Sequence, residues 1–93
     1  MRMVCLGLNH RTAPVEIRER FSVPPHRLQN AGKSIRELPG VEQCVVLSTC
    51  NRMEIYYWSD NPENAREHIL SHFLGDGRGK VDMASHFYCL LYT

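Results

Sequence analysis

The sequence predicts an α+β fold in which helices cover one face of an antiparallel sheet. Short apolar runs of strand length alternate with segments of helical periodicity. Two β-rich runs follow each other with room for only a tight turn. Hydrophobic residues make up 43% and charged residues 23% of the chain, which is ordinary globular composition. With 93 residues, the chain has room for one small domain.

The first half of the chain predicts one strand and two helices. Residues 3–8 are apolar and short enough for a buried strand. Thr12 is placed to cap a turn, with Pro14 in the first turn of a helix that ends near Ser22. Apolar residues then recur at helical spacing until a Pro-Gly pair ends the second helix. These residues are Leu28, Ala31, Ile35 and Leu38.

The second half predicts two strands, a helix and a last strand. Residues 41–49 are β-rich with apolar side chains on both faces, so both faces are expected to be mostly buried. Residues 53–58 alternate, and residues 50–52 provide a tight hairpin turn. Asn61 caps a third helix, a glycine-broken loop follows, and residues 86–92 form the last strand. This order is that of the split βαβ, or ferredoxin-like, sandwich.

Charge and targeting signals exclude several classes of function. Eleven basic and ten acidic residues leave a net charge of +1, too little for nucleic-acid binding through phosphate contacts alone. No apolar stretch approaches the roughly 20 residues of a membrane span. The polar residues 9–11 end the first apolar run before it reaches signal-peptide length, so we expect a cytoplasmic protein that does not bind membranes.

The cysteines are expected to be free thiols in a reducing compartment. They are widely spaced, form no C-x-x-C pair and offer no zinc-ligand spacing, so we expect no metal site. The four positions are Cys5, Cys44, Cys50 and Cys89.

Cys50 is the most informative of these thiols, because it follows a buried strand at the tip of the predicted hairpin. A cation such as Arg52, two residues away, favours the nucleophilic thiolate. The spacing alone favours the alternative, a packed and inert Cys50 beside a solvated Arg52, because a half-buried cysteine usually serves only in packing.

Two motifs resemble the N-terminal domain of glutamyl-tRNA reductase. The first covers residues 7–15 with Arg18 and Glu19, and the second covers residues 47–52 with Glu54 and Tyr56. The resemblance is strong over residues 3–60 and looser towards the end of the chain. One departure is Met53, where the family more often has threonine; we expect altered packing there and retained chemistry.

The resemblance implies the first committed step of tetrapyrrole (porphyrin) biosynthesis. In that reaction a cysteine thiolate attacks the ester of glutamyl-tRNA, and NADPH reduces the thioester to glutamate-1-semialdehyde. Cys50 falls on the family's nucleophile, and Thr49, Asn51 and Arg52 fall on its substrate-binding positions. Arg52 is suited to gripping the glutamyl side-chain carboxylate, a role we weight above activation of the thiol.

By the same resemblance, residues 1–93 correspond to the catalytic and glutamyl-recognition domain of a longer protein. The NADPH-binding domain and the helical dimerisation domain of the family are expected to be absent, because the sequence contains no G-x-G-x-x-G. No residue of this chain is therefore assigned to the cofactor. We expect a homodimer only in the full-length family protein, and no complete reductase activity from this chain alone.

Two rival functions stay open at this point: a non-catalytic binding module, and a redox sensor in which Cys50 pairs with another cysteine.

The histidines give weaker signals. His68 and His72 are expected to be a solvated helix flank, and His10 either stabilises its loop or borders the site. The family's catalytic histidine is expected beyond this chain, so His86 is not assigned that role. Three aromatic residues, Tyr56, Tyr57 and Trp58, are expected to pack rather than to stack on RNA bases.

Overall fold

The computed structural model describes residues 1–74 and 85–92. The strands of these residues form one sheet in the order β2-β3-β1-β4, and every neighbouring pair is antiparallel. β1 and β2 therefore run parallel with β3 inserted between them, which is the split βαβ arrangement. The predicted ferredoxin-like α+β sandwich is confirmed. The elements are β1 (Arg2–Asn9), α1 (Val15–Phe21), a 3-10 turn (Pro25–Arg27), α2 (Leu28–Arg36), β2 (Gln43–Ser48), β3 (Arg52–Ser59), α3 (Pro62–Leu74) and β4 (Tyr88–Leu91).

One face of the sheet, the helix face, carries the hydrophobic core. Its largest buried side chains are Val4, Leu6, Leu8, Met53, Ile55 and Tyr57. They pack in one cluster with residues from all three helices: Phe21, Ile35, Ala65 and Ile69. Each large apolar side chain buried in this way contributes about 1.5–3 kcal/mol relative to leaving it exposed. The core therefore fixes which side chains of β1 and β3 are left for the other face.

The other face of the sheet, the open face, has no helix packed on it in the described part of the chain. Val45 on β2 is 56% exposed and Leu90 on β4 is 47% exposed. The expectation that both faces of residues 41–49 are mostly buried is therefore wrong for Val45. The physical reason is that β2 is an edge strand, and the helices shield only its side chains on the helix face.

The ends of the helices follow local side-chain hydrogen bonding. Asn61 caps α3 as expected, because its Oδ1 accepts the Asn64 N–H at 3.4 Å. Thr12 does not cap α1; the residue before that helix is Pro14, with no side-chain cap. Thr12 is engaged instead with Asn9, whose N–H donates to the Thr12 hydroxyl at 3.0 Å. α2 ends at Arg36, slightly before the predicted limit.

The segment that leads into β4 is anchored to the first third of the chain. His86 Nδ1 lies 3.0 Å from the carbonyl oxygen of Thr12. The rings of Phe87 and Phe21 meet edge to face with centroids 5.4 Å apart. These contacts bring β4 beside β1, where it forms the second edge of the sheet. The predicted loop near residues 75–80 lies outside the described residues.

Candidate functional site

The hairpin between β2 and β3 is closed by Thr49. Its N–H donates to the Arg52 carbonyl oxygen at 2.8 Å. Its hydroxyl oxygen accepts the N–H groups of Asn51 and Arg52, each at 3.2 Å. A threonine hydroxyl that satisfies two turn N–H groups holds a short loop in one conformation. Cys50 is thereby presented, exposed, at the tip of a braced turn.

The loop after β1 lies beside this hairpin. The Asn9 side-chain oxygen accepts the N–H groups of Arg11 at 2.9 Å and Thr12 at 3.1 Å, which fixes the turn. Asn9 pairs with Arg52 at the last position of the β1–β3 register. The two sequence motifs, which are far apart in the sequence, therefore meet at one end of the sheet.

A cavity of about 390 Å³ lies where these two loops meet. Its lining residues are Asn9, His10, Thr49, Asn51 and Arg52. Three of the four predicted site residues thus share one cavity, together with His10. The fourth, Cys50, sits between two lining residues in the sequence and is not itself part of the lining. A cavity of this size is within the range of small-molecule sites.

Arg52 is held from one side by Glu54. The Arg52 Nε lies 3.5 Å from Glu54 Oε1, and the arginine side chain remains 53% exposed. This ion pair is formed through Nε, and the two terminal nitrogens, Nη1 and Nη2, lie at the outer end of the guanidinium. A guanidinium fixed through Nε presents its remaining fork to an incoming carboxylate.

Glu54 is itself the centre of a hydrogen-bonded cluster on the open face of the sheet. Oε1 accepts the Tyr56 hydroxyl at 3.1 Å, while Oε2 accepts the Tyr88 hydroxyl and the Cys5 thiol, the latter at 3.5 Å. Glu54 is only 7% exposed, so an ionised carboxylate there depends on these donors and on Arg52. Burial alone would raise the pKa of Glu54, but the donors and the Arg52 charge lower it below its usual value.

The same cluster keeps its donors protonated. Burial, the Glu54 charge and the hydrogen bond to Glu54 raise the pKa of the Cys5 thiol to about 12. Burial and the hydrogen bond to Glu54 raise the pKa of Tyr56 to about 12 and also raise the pKa of Tyr88. At neutral pH these three groups are therefore neutral donors around one carboxylate.

Gly7 makes room for this cluster. In the sheet register it lies between Glu54 on β3 and Tyr88 on β4. A Cβ at this position would lie 2.6 Å from the Met53 carbonyl oxygen and 2.8 Å from Glu54 Cγ. The glutamate side chain crosses the strand at the position where the strand has no side chain.

Sequence reasoning did not include Glu54, Tyr88 or Gly7 among the site residues. The available signal was a glycine inside an apolar strand, which marks a close approach of another chain segment. Met53, the departure from the family pattern, is 1% exposed in the core and belongs to the helix face, away from this cluster.

All four cysteines lie in the described part of the chain and are free, as predicted. Cys5 pairs with Tyr56, Cys44 with Tyr57 and Cys89 with Leu6 in the sheet register. Each is at least three residues from the end of the sheet that carries Cys50, which is roughly 10 Å along the strands. Disulfides need Cα atoms within about 7 Å, so this fold does not favour a redox sensor built on Cys50 and another cysteine.

The histidines do not gather into a second site in the described residues. His72 is exposed and meets the ring of Phe73, and His68 is half-buried on the same helix. Within residues 1–74 and 85–92, no three metal-ligating side chains come together. In the same residues, no helix is long and apolar enough to cross a membrane.

Replacing Thr49 with valine is expected to lower the free energy of unfolding by about 1–2 kcal/mol. Valine keeps the shape but removes the acceptor of the Asn51 and Arg52 N–H groups, which lie at 3.2 Å. Chemical denaturation of the parent and variant chains measures the loss. Thr49→Ser is the matched control, because it keeps the hydroxyl, and equal loss in both variants would contradict the bracing role.

Comparisons with known proteins identify the family of the chain. Residues 6–91 match the family model for the N-terminal domain of glutamyl-tRNAGlu reductase. A glutamyl-tRNA reductase from Akkermansia muciniphila is 82% identical over 88 residues, which cover 95% of this chain and 26% of that relative. One from Synechococcus sp. (strain RCC307) is 45% identical over 82 residues, covering 88% of this chain and 18% of the relative.

A solved structure gives the same result. Glutamyl-tRNA reductase from Methanopyrus kandleri matches with a TM-score of 0.54 and 25% identity, covering 94% of this chain and 18% of that one. The chain thus spans about a quarter or less of the length of these three relatives. The match over residues 6–91 and the fold lead to one conclusion: this chain belongs to the glutamyl-tRNA reductase family and carries its N-terminal domain.

Proposed function

We propose that this domain recognises the glutamyl group of glutamyl-tRNA and accepts it on Cys50 as a thioester. The observation that carries the proposal is the braced hairpin tip, where an exposed thiol adjoins a cavity lined by Thr49, Asn51 and Arg52. The family match supplies the substrate class, because the relatives are named glutamyl-tRNA reductase.

Recognition of the glutamyl side chain falls to Arg52. Its Nε lies 3.5 Å from Glu54 Oε1, and its terminal nitrogens can donate to the two oxygens of a substrate carboxylate. Asn51 and His10 line the same cavity and add polar groups around the bound amino acid. Thr49 contributes by holding the hairpin, since its hydroxyl is engaged in the turn.

The chemical step is acyl transfer from oxygen to sulfur. The Cys50 thiolate attacks the ester carbonyl carbon, a carbon–sulfur bond forms, and the bond to the tRNA ribose oxygen breaks. The leaving ribose oxygen takes up a proton and becomes a free hydroxyl, so charge and atoms balance. The product is a glutamyl thioester on Cys50, which is a better acceptor of hydride than an oxygen ester.

NADPH supplies the hydride for the family reaction that ends in glutamate-1-semialdehyde. The described residues do not fit a dinucleotide, because they hold no glycine-rich phosphate loop between a strand and a helix. We assign NADPH binding and dimerisation to parts of the longer relatives outside the matched residues, and a cytoplasmic role in porphyrin biosynthesis to the whole protein. The chain alone is expected to stop at the thioester or to lose it slowly to water.

The test is to incubate the chain with glutamyl-tRNA, quench in acid and measure the intact mass. We expect a mass increase of one glutamyl group, located on the Cys50 peptide and removed by hydroxylamine, as a thioester is. Addition of NADPH is expected to produce no semialdehyde. A chain that stays unmodified, or is modified only at another cysteine, contradicts the proposal.

A further inference from the structure

The edge strand β4 contributes a side chain to the hairpin site, although it lies on the far side of β1. We propose that Tyr88 is a positioning residue for glutamate recognition: it fixes the Glu54 carboxylate, which in turn fixes Arg52. This inference rests on the proposed function, in which Arg52 binds the glutamyl carboxylate. It adds a specificity role for a strand that neither motif includes.

The two carboxylate oxygens of Glu54 have different partners. Oε2 accepts the hydroxyl of Tyr88 and, at 3.5 Å, the thiol of Cys5. Oε1 faces Arg52 Nε at 3.5 Å and also accepts the Tyr56 hydroxyl. A carboxylate bound at one oxygen cannot rotate without breaking that bond, so Tyr88 determines where the other oxygen points.

Tyr88 holds a place in this cluster that Tyr56 cannot take over. The Tyr56 hydroxyl donates to Oε1, the oxygen that also faces Arg52, and it lies on the same strand as both. The Tyr88 hydroxyl reaches Glu54 Oε2 from β4, across Gly7 of β1. It therefore links the Glu54 carboxylate on β3 to a second strand of the sheet. Because Glu54 is 7% exposed, water does not readily replace a lost donor.

The consequence for recognition lies in the freedom of Arg52. The side chain is 53% exposed, and a solvent-facing arginine samples several rotamers unless a partner holds it. Pairing with a fixed Glu54 leaves fewer conformations to be lost when the glutamyl carboxylate binds. A more mobile Glu54 side chain is therefore expected to reduce the selectivity of the site for a glutamyl group, while the Cys50 thiol is unchanged.

The experiment compares Tyr88→Phe, Arg52→Gln and the parent chain in acylation of Cys50 by a glutamyl and a glutaminyl thioester of the same leaving group. The ratio of the glutamyl to the glutaminyl acylation rate reports carboxylate recognition. A general loss of reactive protein lowers both rates equally and leaves this ratio unchanged. We expect the ratio to fall about tenfold in Arg52→Gln and about threefold in Tyr88→Phe. Tyr57→Phe is the matched control, since its hydroxyl donates to the Pro62 carbonyl oxygen at 3.0 Å, away from Glu54.

A second readout needs no substrate. The Arg52 Nε–H resonance of a nitrogen-labelled chain is expected to be sharp and protected from exchange in the parent and in Tyr57→Phe, and to be lost in Tyr88→Phe. An unchanged resonance and an unchanged rate ratio in Tyr88→Phe overturn the inference. If no thioester acylates Cys50, the proposed function fails, and the Arg52 resonance still decides whether Tyr88 positions that side chain.

Discussion

Cys50→Ser is expected to slow acylation of the chain by glutamyl-tRNA by at least about 10³-fold. Serine keeps the size and the exposed position of the side chain at the hairpin tip. Its hydroxyl stays protonated at neutral pH, whereas a cysteine provides a fraction of strongly nucleophilic thiolate. The rate is measured as the appearance of the glutamyl adduct in acid-quenched samples.

Cys89→Ser provides the matched control for this change. Cys89 is also an exposed free thiol, but it lies on β4 rather than at the hairpin. Its replacement is expected to leave the rate unchanged. Acylation of Cys50→Ser at the parent rate, or its loss in Cys89→Ser, would show that the nucleophile lies elsewhere.

Much of the fold could be predicted from the sequence because its signals are local. Alternation placed Tyr57 in the core, where it is 0% exposed, and the Asn-Pro pair marked the start of α3. The exposure of Val45 could not be predicted in this way. The residues next to Val45 in the sequence are apolar on both faces of the strand, and only the placement of the helices decides which face is covered.

The same distinction between local and long-range signals applies to the candidate site. The hairpin tip with Cys50 follows from two adjacent β-rich runs, so its position and exposure are properties of a short segment. The cluster around Glu54 depends on strand register, which brings Tyr88 within reach from 34 residues away along the chain. Thr12 gives a smaller example, because a threonine before a helix can cap it or bond to an earlier turn, and here Asn9 competes successfully.

Gly7→Ala is expected to lower the free energy of unfolding by about 2 kcal/mol, or roughly 10 °C in Tm. The added Cβ would meet the Met53 carbonyl oxygen at 2.6 Å and Glu54 Cγ at 2.8 Å. Overpacking of this kind costs about 1–3 kcal/mol or more, and the obstacle here includes backbone, which cannot rotate away. The higher strand propensity of alanine offsets only about 0.5–1 kcal/mol of this cost, so the steric clash determines the sign of the change in stability.

Gly32→Ala is the control with the opposite sign. A Cβ at Gly32, inside α2, meets nothing within 4 Å. There the helix propensity of alanine is expected to raise the free energy of unfolding by up to about 1 kcal/mol. Chemical denaturation of both variants separates the two effects, since backbone entropy changes in the same direction in each. If Gly7→Ala were as stable as Gly32→Ala, Glu54 would not cross β1 at Gly7, and the link from Tyr88 to Arg52 would lose its structural basis.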